Sequence, residues 1–300
     1  MAPNDSYRPA CLLVFSTQRT GSTLLCDYLQ RAGLGKPGEF FLLLMRSKPR
    51  NEITPADFFA AAEMGRGENG TSAINVMSNQ LAPIAEAFFG KPAYEALEPV
   101  TAHAQFIDAY AKIFGSSAYL RISRSDRVAQ AVSRLVHRKS GVAHVKAGEA
   151  QRTPNHKAGS GDPVDEITGA DLAHEIFRID QDEAHLDAVL AQLDQPVCDL
   201  TYEDLTEDPE RQFQAIWQFF GWGNFDMPLC TDHTKVTKPA DFTVLRTKLA
   251  AYLGADPESS DADLLALCRA RNAQEGHGTR SAKRTGSLSR LLRRGARSRA

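Results

Sequence analysis

Cys11-Leu-Leu-Val-Phe15 is a short, uninterrupted apolar run, and it stops in the polar, glycine-bearing turn Ser16-Thr-Gln-Arg-Thr-Gly-Ser22. A run of that length bounded by turn residues predicts a buried strand, and from Thr23 to Ala32 the spacing becomes helical. The alternation recurs down the chain. Strand character returns at 71–77, 118–123 and 196–202. Helical spacing occupies 54–65, 80–90, 101–114, about 126–138, about 170–193 and the stretch from Asp208 to Phe220. The helix after 126 has a clear apolar stripe of Val128, Val132, Leu135 and Val136, and the one at 208 opens on Asp-Pro-Glu, an acid and a proline in the first turn. Strands alternating with helices predict an α/β three-layer sandwich, a central parallel sheet with helices on both faces. Ligands then bind at the C-terminal ends of the strands. Between Gly141 and Gly169 the chain is rich in Gly, Pro, Ser and His and has little period, which predicts a mobile or functional loop.

Composition narrows the class. Three hundred residues at 42% hydrophobic suffice to bury a large core. The five cysteines are scattered without a C-x-x-C pair, which argues against a disulfide framework or structural zinc. Cys11 and Cys26 sit in apolar surroundings and read as core. The start of the chain is polar and no apolar run spans a bilayer, so the expectation is a cytoplasmic protein. The overall charge of −2 hides an asymmetry: after Glu275 there are eight Lys or Arg and no acid, and subtracting that +8 leaves −10 over residues 1–275. The expected organisation is a flexible 1–9, a domain over 10–275 and a basic, disordered tail over 276–300. Leu288, Leu291 and Leu292 fall at helical spacing in that tail, so peripheral contact with an anionic membrane is one expectation, beside a merely solubilising tail.

The turn at 16–22 carries the chemistry. A strand feeding a tight turn into a helix N-terminus presents free backbone N–H groups and the positive end of the helix dipole, the arrangement that binds phosphate. Gln18, Arg19, Thr20, Gly21, Ser22 and Thr23 add a cation, hydroxyl donors and a glycine that admits close approach. The nucleotide-triphosphate loop G-x-x-x-x-G-K-[ST] is not met: Gly21 stands where its lysine belongs, before Ser22, and if Gly21 is taken instead as the second glycine the first would be Ser16. The dinucleotide pattern G-x-G-x-x-G is absent too. An ordinary strand–helix turn remains the bland alternative. A second polar block, Arg121-Ile-Ser-Arg-Ser-Asp-Arg-Val-Ala-Gln-Ala-Val-Ser133, puts Arg124 where a strand ends, on the same edge of the sheet. Arg127, Gln130 and Arg134 share one helix face beside Ser133, either a second phosphate site or a solvated basic face.

Four blocks in order, Ser-Thr-Gln-Arg-Thr-Gly-Ser-Thr-Leu-Leu (16–25), Pro-Gly-Glu-Phe-Phe (37–41), Met-Ser-Asn-Gln (77–80) and Arg-Ser-Asp-Arg-Val-Ala-Gln-Ala-Val-Ser (124–133), resemble the Stf0-type bacterial sulfotransferases over roughly 10–225. That family includes a trehalose 2-sulfotransferase and relatives acting on lipopolysaccharide. The resemblance implies a P-loop-like sulfotransferase fold related to nucleotide kinases. It also implies the donor 3′-phosphoadenosine-5′-phosphosulfate (PAPS), with 3′-phosphoadenosine-5′-phosphate (PAP) as product and no metal. It assigns 18–23 to the 5′-phosphosulfate, Arg124 and Ser133 to the 3′-phosphate, and Glu39 to the general base, with Arg19 at the leaving oxygen. Phe40 and Phe41 beside Glu39 suggest a partly desolvated carboxylate, made more basic. A homodimer and a saccharide or lipid-linked acceptor are expected partners; nucleic acid is not. Two departures stand out: Asn75 replaces a lysine common in the family, and the region after 230 lacks an expected tryptophan. The acceptor therefore need not be trehalose. Lys235, Lys238 and Arg246 are candidates for supporting the 3′-phosphate or the acceptor. A nucleoside-triphosphate-dependent phosphotransferase and a non-catalytic nucleotide-binding protein are the alternatives carried forward.

Overall fold

The computed structural model describes residues 9–140, 145–146, 164–229, 233–234 and 239–274. The expected strands form one sheet: β1 (Cys11–Ser16), β2 (Ser72–Met77), β3 (Ser117–Ser123) and β5 (Val197–Thr201), in the order β2-β1-β3-β5 and all parallel. Every residue of β1 is buried, as a central strand covered on both faces must be. Its side chains alternate between two cores. Cys11, Leu13 and Phe15 face Phe41 of α2 (Phe40–Ser47), Phe58 of α3 (Pro55–Met64), Leu81 of α4 (Ser78–Phe89) and Phe106 of α6 (Pro99–Lys112). Leu12 and Val14 face Leu25 and Leu29 of α1 (Ser22–Arg31) and, beyond α9 (Tyr202–Glu207), Phe213 and Ile216 of α10 (Pro209–Phe219). The molecule is thus the expected α/β sandwich with helices on both faces of a parallel sheet. A short α5 (Lys91–Glu95) links α4 to α6.

A third core lies beside the sheet. There α7 (Arg127–Ser140) packs with α8 (Gly169–Leu190) and with two helices that the sequence pattern left unassigned, α11 (Pro239–Leu253) and α12 (Asp261–Gln274). Part of the stretch expected to be a mobile loop belongs to this core. Val164 and Ile167 are buried in it, and the Lys248 ammonium donates to the carbonyls of Val164 and Ile167 at 2.9 and 3.0 Å. Two apolar anchors and a cation on the chain's own carbonyls fix 164–168, which corrects the reading of 141–169 as mobile throughout. Val145–Lys146 (β4) pairs antiparallel with His233–Thr234 (β6). The rest of that loop, residues 1–8 of the N-terminus expected to be flexible, Cys230, Lys235, Lys238 and the basic tail after 275 lie outside the described residues. Arg246 is committed elsewhere than expected. It donates to Asp261 Oδ1 and to the Pro257 carbonyl at 2.6 Å each, closing the turn between α11 and α12.

Candidate active site

All four strands are parallel, so β1 and β3 deliver their following turns to one edge of the sheet. The turn after β1 is a backbone of unusual shape: Arg19 has φ 66° and Gly21 φ 88°, and Arg19 is the single non-glycine residue with positive φ among those described. Held left-handed conformations of this kind persist only where surrounding bonds over-determine them. Those bonds are present. The fully buried Thr20 donates its hydroxyl to the Thr17 carbonyl at 3.0 Å, and the equally buried Thr17 donates to Glu183 Oε1 on α8 at 2.6 Å. The Gln130 amide from α7 donates to Thr17 Oγ1 and to the Gln18 carbonyl, both at 2.9 Å. Gly21 is required by more than its φ: a Cβ there would stand 2.3 Å from Cδ2 of Tyr202.

The second block meets the first directly. Arg19 Nε donates to Ser133 Oγ at 3.0 Å, and the Arg124 guanidinium lies over the Tyr202 ring, 4.8 Å from its centroid. Arg19 and Arg124 are close enough to feel each other. Burial, and after it the like charge of Arg124, lowers the Arg19 pKa, opposed in part by Tyr202. The nearest acid to Arg124, Glu203, stays at 3.8 Å from Nε, and that buried Nε has no hydrogen-bond partner. Two arginines converging at a strand edge, one with an unsatisfied N–H, make a seat for an anion.

The helix face beyond Ser133 does something different. Arg127 pairs with Glu183 at 3.2 Å; Arg134 pairs with Glu175 at 2.9 Å and with Asp182 at 3.0 Å. Gln130, Ser133 and Arg134 are buried. This face is buried and ion-paired rather than solvated. It is an internal ion network that holds the turn, Arg134 reaching Gln18 Oε1 at 3.2 Å. The acids that complete it gave no signal in the sequence, because Glu175, Asp182 and Glu183 look like the solvent side of α8.

Glu39 sits at the N-terminus of α2. The backbone there is pinned to β2 by the Asn75 N–H donating to the Gly38 carbonyl at 2.9 Å. Asn75, at the position of the family's lysine, is buried and spans the first turn: Ser16 Oγ donates to its Oδ1 at 3.2 Å and its Nδ2 donates to Ser22 Oγ at 3.4 Å. The Cys26 thiol of α1 is pushed up by burial and then by the negative charge of Glu39, which places Glu39 beside the first helix. Gln80 Nε2 donates to Glu39 Oε2 at 2.7 Å, a contact that no sequence spacing announced. Among the ligand-facing hydroxyls expected, that of Thr20 is spent inside the turn and that of Ser22 is held by Asn75.

Comparison with known proteins bears on the same segments. No curated protein matches the chain. Among solved structures, a sulfotransferase domain from the curacin biosynthetic pathway is similar at 15% identity and TM-score 0.39, covering 89% of this chain and 99% of that one. The family model of the Stf0 sulphotransferases matches residues 11–243, a span that holds the β1 turn, Glu39, the Arg124 block and α10. With most of its 300 residues inside that match, the chain belongs to the Stf0 sulphotransferase family and is a sulfotransferase.

Proposed function

We propose that the protein transfers a sulfuryl group from PAPS to a hydroxyl of a saccharide or lipid-linked acceptor. The observation that carries this reading is the convergence of Arg19, bonded to Ser133, and Arg124 at one strand edge. A donor with separate 5′ and 3′ anionic ends needs two adjoining cation sites, and the unsatisfied Arg124 Nε fits a phosphate oxygen. Gln18–Thr23 would hold the 5′ end, Arg124 and Ser133 the 3′-phosphate. When bound, PAPS supplies an activated sulfuryl group on a phosphate oxygen.

The chain's own residues then have distinct tasks. Arg19 and the first N–H groups of α1 stabilise negative charge growing at the 5′ side, preorganised by the buried bonds of Thr17 and Thr20. The Glu39 carboxylate takes the proton of the acceptor hydroxyl, without which an alcohol is a poor nucleophile. Tyr202 closes over Gly21 and carries Arg124 on its ring face.

The test is label transfer. Purified protein with ³⁵S-labelled PAPS and pooled carbohydrate and lipid extracts should yield labelled organic products, identified by mass spectrometry. Label arriving instead from γ-³²P-ATP with magnesium would establish a phosphotransferase and overturn the reading.

A further inference from the structure

We propose that Gln80 is a positioning residue for Glu39, one that fixes the carboxylate so that Oε1 is the atom receiving the acceptor's proton. The inference rests on the reading of Glu39 as the base and goes one residue beyond it.

Three observations carry it. Gln80 is the third residue of α4 and only 2% exposed, and its Nε2 donates to Glu39 Oε2 at 2.7 Å. The other end of the same amide, Oε1, is buried without a hydrogen-bond partner. Buried polar atoms in folded proteins are nearly all satisfied, and a leucine of similar size would fill the site without that penalty. The amide is therefore held in this orientation by its contact with Glu39, since the flipped amide would set oxygen against carboxylate. Lastly, Glu39 occupies the N-cap of α2 but makes no side-chain cap. An acid there ordinarily accepts from its own helix's N–H groups. Glu39 instead turns to Gln80, which engages Oε2 and leaves Oε1 for the acceptor.

The contact can be read without donor or acceptor. In ¹⁵N-labelled protein, the Gln80 side-chain amide signals are assigned by their loss in Gln80→Leu. They should shift in Glu39→Gln, which replaces the charged acceptor by a neutral one. Signals that stay in place in Glu39→Gln overturn the pairing.

Catalysis supplies the second arm, with ³⁵S-PAPS and the pooled extracts as probe. Gln80→Leu should lower turnover by about tenfold or more, the scale of a misplaced catalytic group, with PAP affinity unchanged. Gln80→Glu keeps the size of the side chain and guards against a folding defect. It places two carboxyls together, so the acid limb of its pH–rate profile should move to higher pH. If Glu39→Gln abolishes transfer while both Gln80 variants match the parent at every pH, the positioning role is wrong and the base assignment stands. If Glu39→Gln transfers at the parent rate, the base assignment itself fails.

Discussion

Arg19 Nε donates to Ser133 Oγ at 3.0 Å, joining the turn after the first strand to the helix that follows the third. The two polar blocks are therefore one unit. Ser133→Ala should weaken PAP binding through its own lost contact and through a loosened Arg19. Measured by calorimetry, Arg19→Ala, Ser133→Ala and the double variant should give a coupling energy of about 1 kcal/mol. Simple additivity would mean that the two blocks bind independently. Arg124→Ala, which removes a charge-assisted partner, should cost roughly 1.5–3 kcal/mol of PAP binding.

Glu183 is the hub behind the turn. It is 4% exposed and receives Thr17 at 2.6 Å, Arg121 at 2.8 Å and Arg127 at 3.2 Å. Glu183→Ala removes the counter-charge of Arg127 and one of those of Arg121, which keeps Asp187 at 2.5 Å, and should destabilise the fold by about 3 kcal/mol. Glu183→Gln, which keeps the acceptor for Thr17, should cost less. Urea unfolding of both variants measures this: equal losses would show that the acceptor for Thr17 adds nothing beyond the charge, and a Glu183→Gln variant as stable as the parent would show that charge is not what Glu183 contributes.

Sequence reading reached the sheet and the turn because both follow from local pattern. A strand covered on both faces must be a continuous apolar run, and Cys11–Phe15 is one. The turn between strand and helix is marked locally by Arg-Thr-Gly-Ser, whose glycine takes φ 88°. What escaped was pairing at a distance. Glu183 lies 166 positions from Thr17, and Gln80 lies 41 from Glu39. No period links such residues, and a buried acid on a helix is spelled like an exposed one. The helices α11 and α12 escaped for a related reason. Their inward residues, Leu245, Leu249, Leu264 and Cys268, are few and gain meaning only against α8.

Stability should depend on pH through His103. Its ring is 3% exposed, with Nδ1 2.8 Å from His185 Nε2 and Nε2 3.1 Å from the Tyr94 hydroxyl. Burial, and then His185, pushes it down to about 4 from an ordinary 6.5. Between those values the unfolded chain binds more protons, so stability is complete above 6.5 and is lost as pH falls toward 4. The loss should be on the order of 2–3 kcal/mol. Urea midpoints across this range should fall for the parent and fall less for His103→Asn; parallel curves would assign the acid sensitivity elsewhere.

The eight basic residues after Glu275 call for a separate test. Deleting 276–300 should reduce binding to phosphatidylglycerol vesicles and leave PAP affinity unchanged, since Arg19, Arg124 and Ser133 all lie upstream. Equal vesicle binding by the shortened chain would rule out membrane docking by the tail.

The central claim is that Glu39 does chemistry while Arg19, Arg124 and Ser133 hold the donor. Its most direct test is Glu39→Gln, with PAP binding measured by calorimetry beside sulfuryl transfer from ³⁵S-PAPS. The account predicts PAP affinity within about twofold of the parent and transfer lower by a hundredfold or more, on the order of a lost general base. Undiminished transfer, or a loss of PAP binding that accounts for the whole effect, would contradict it.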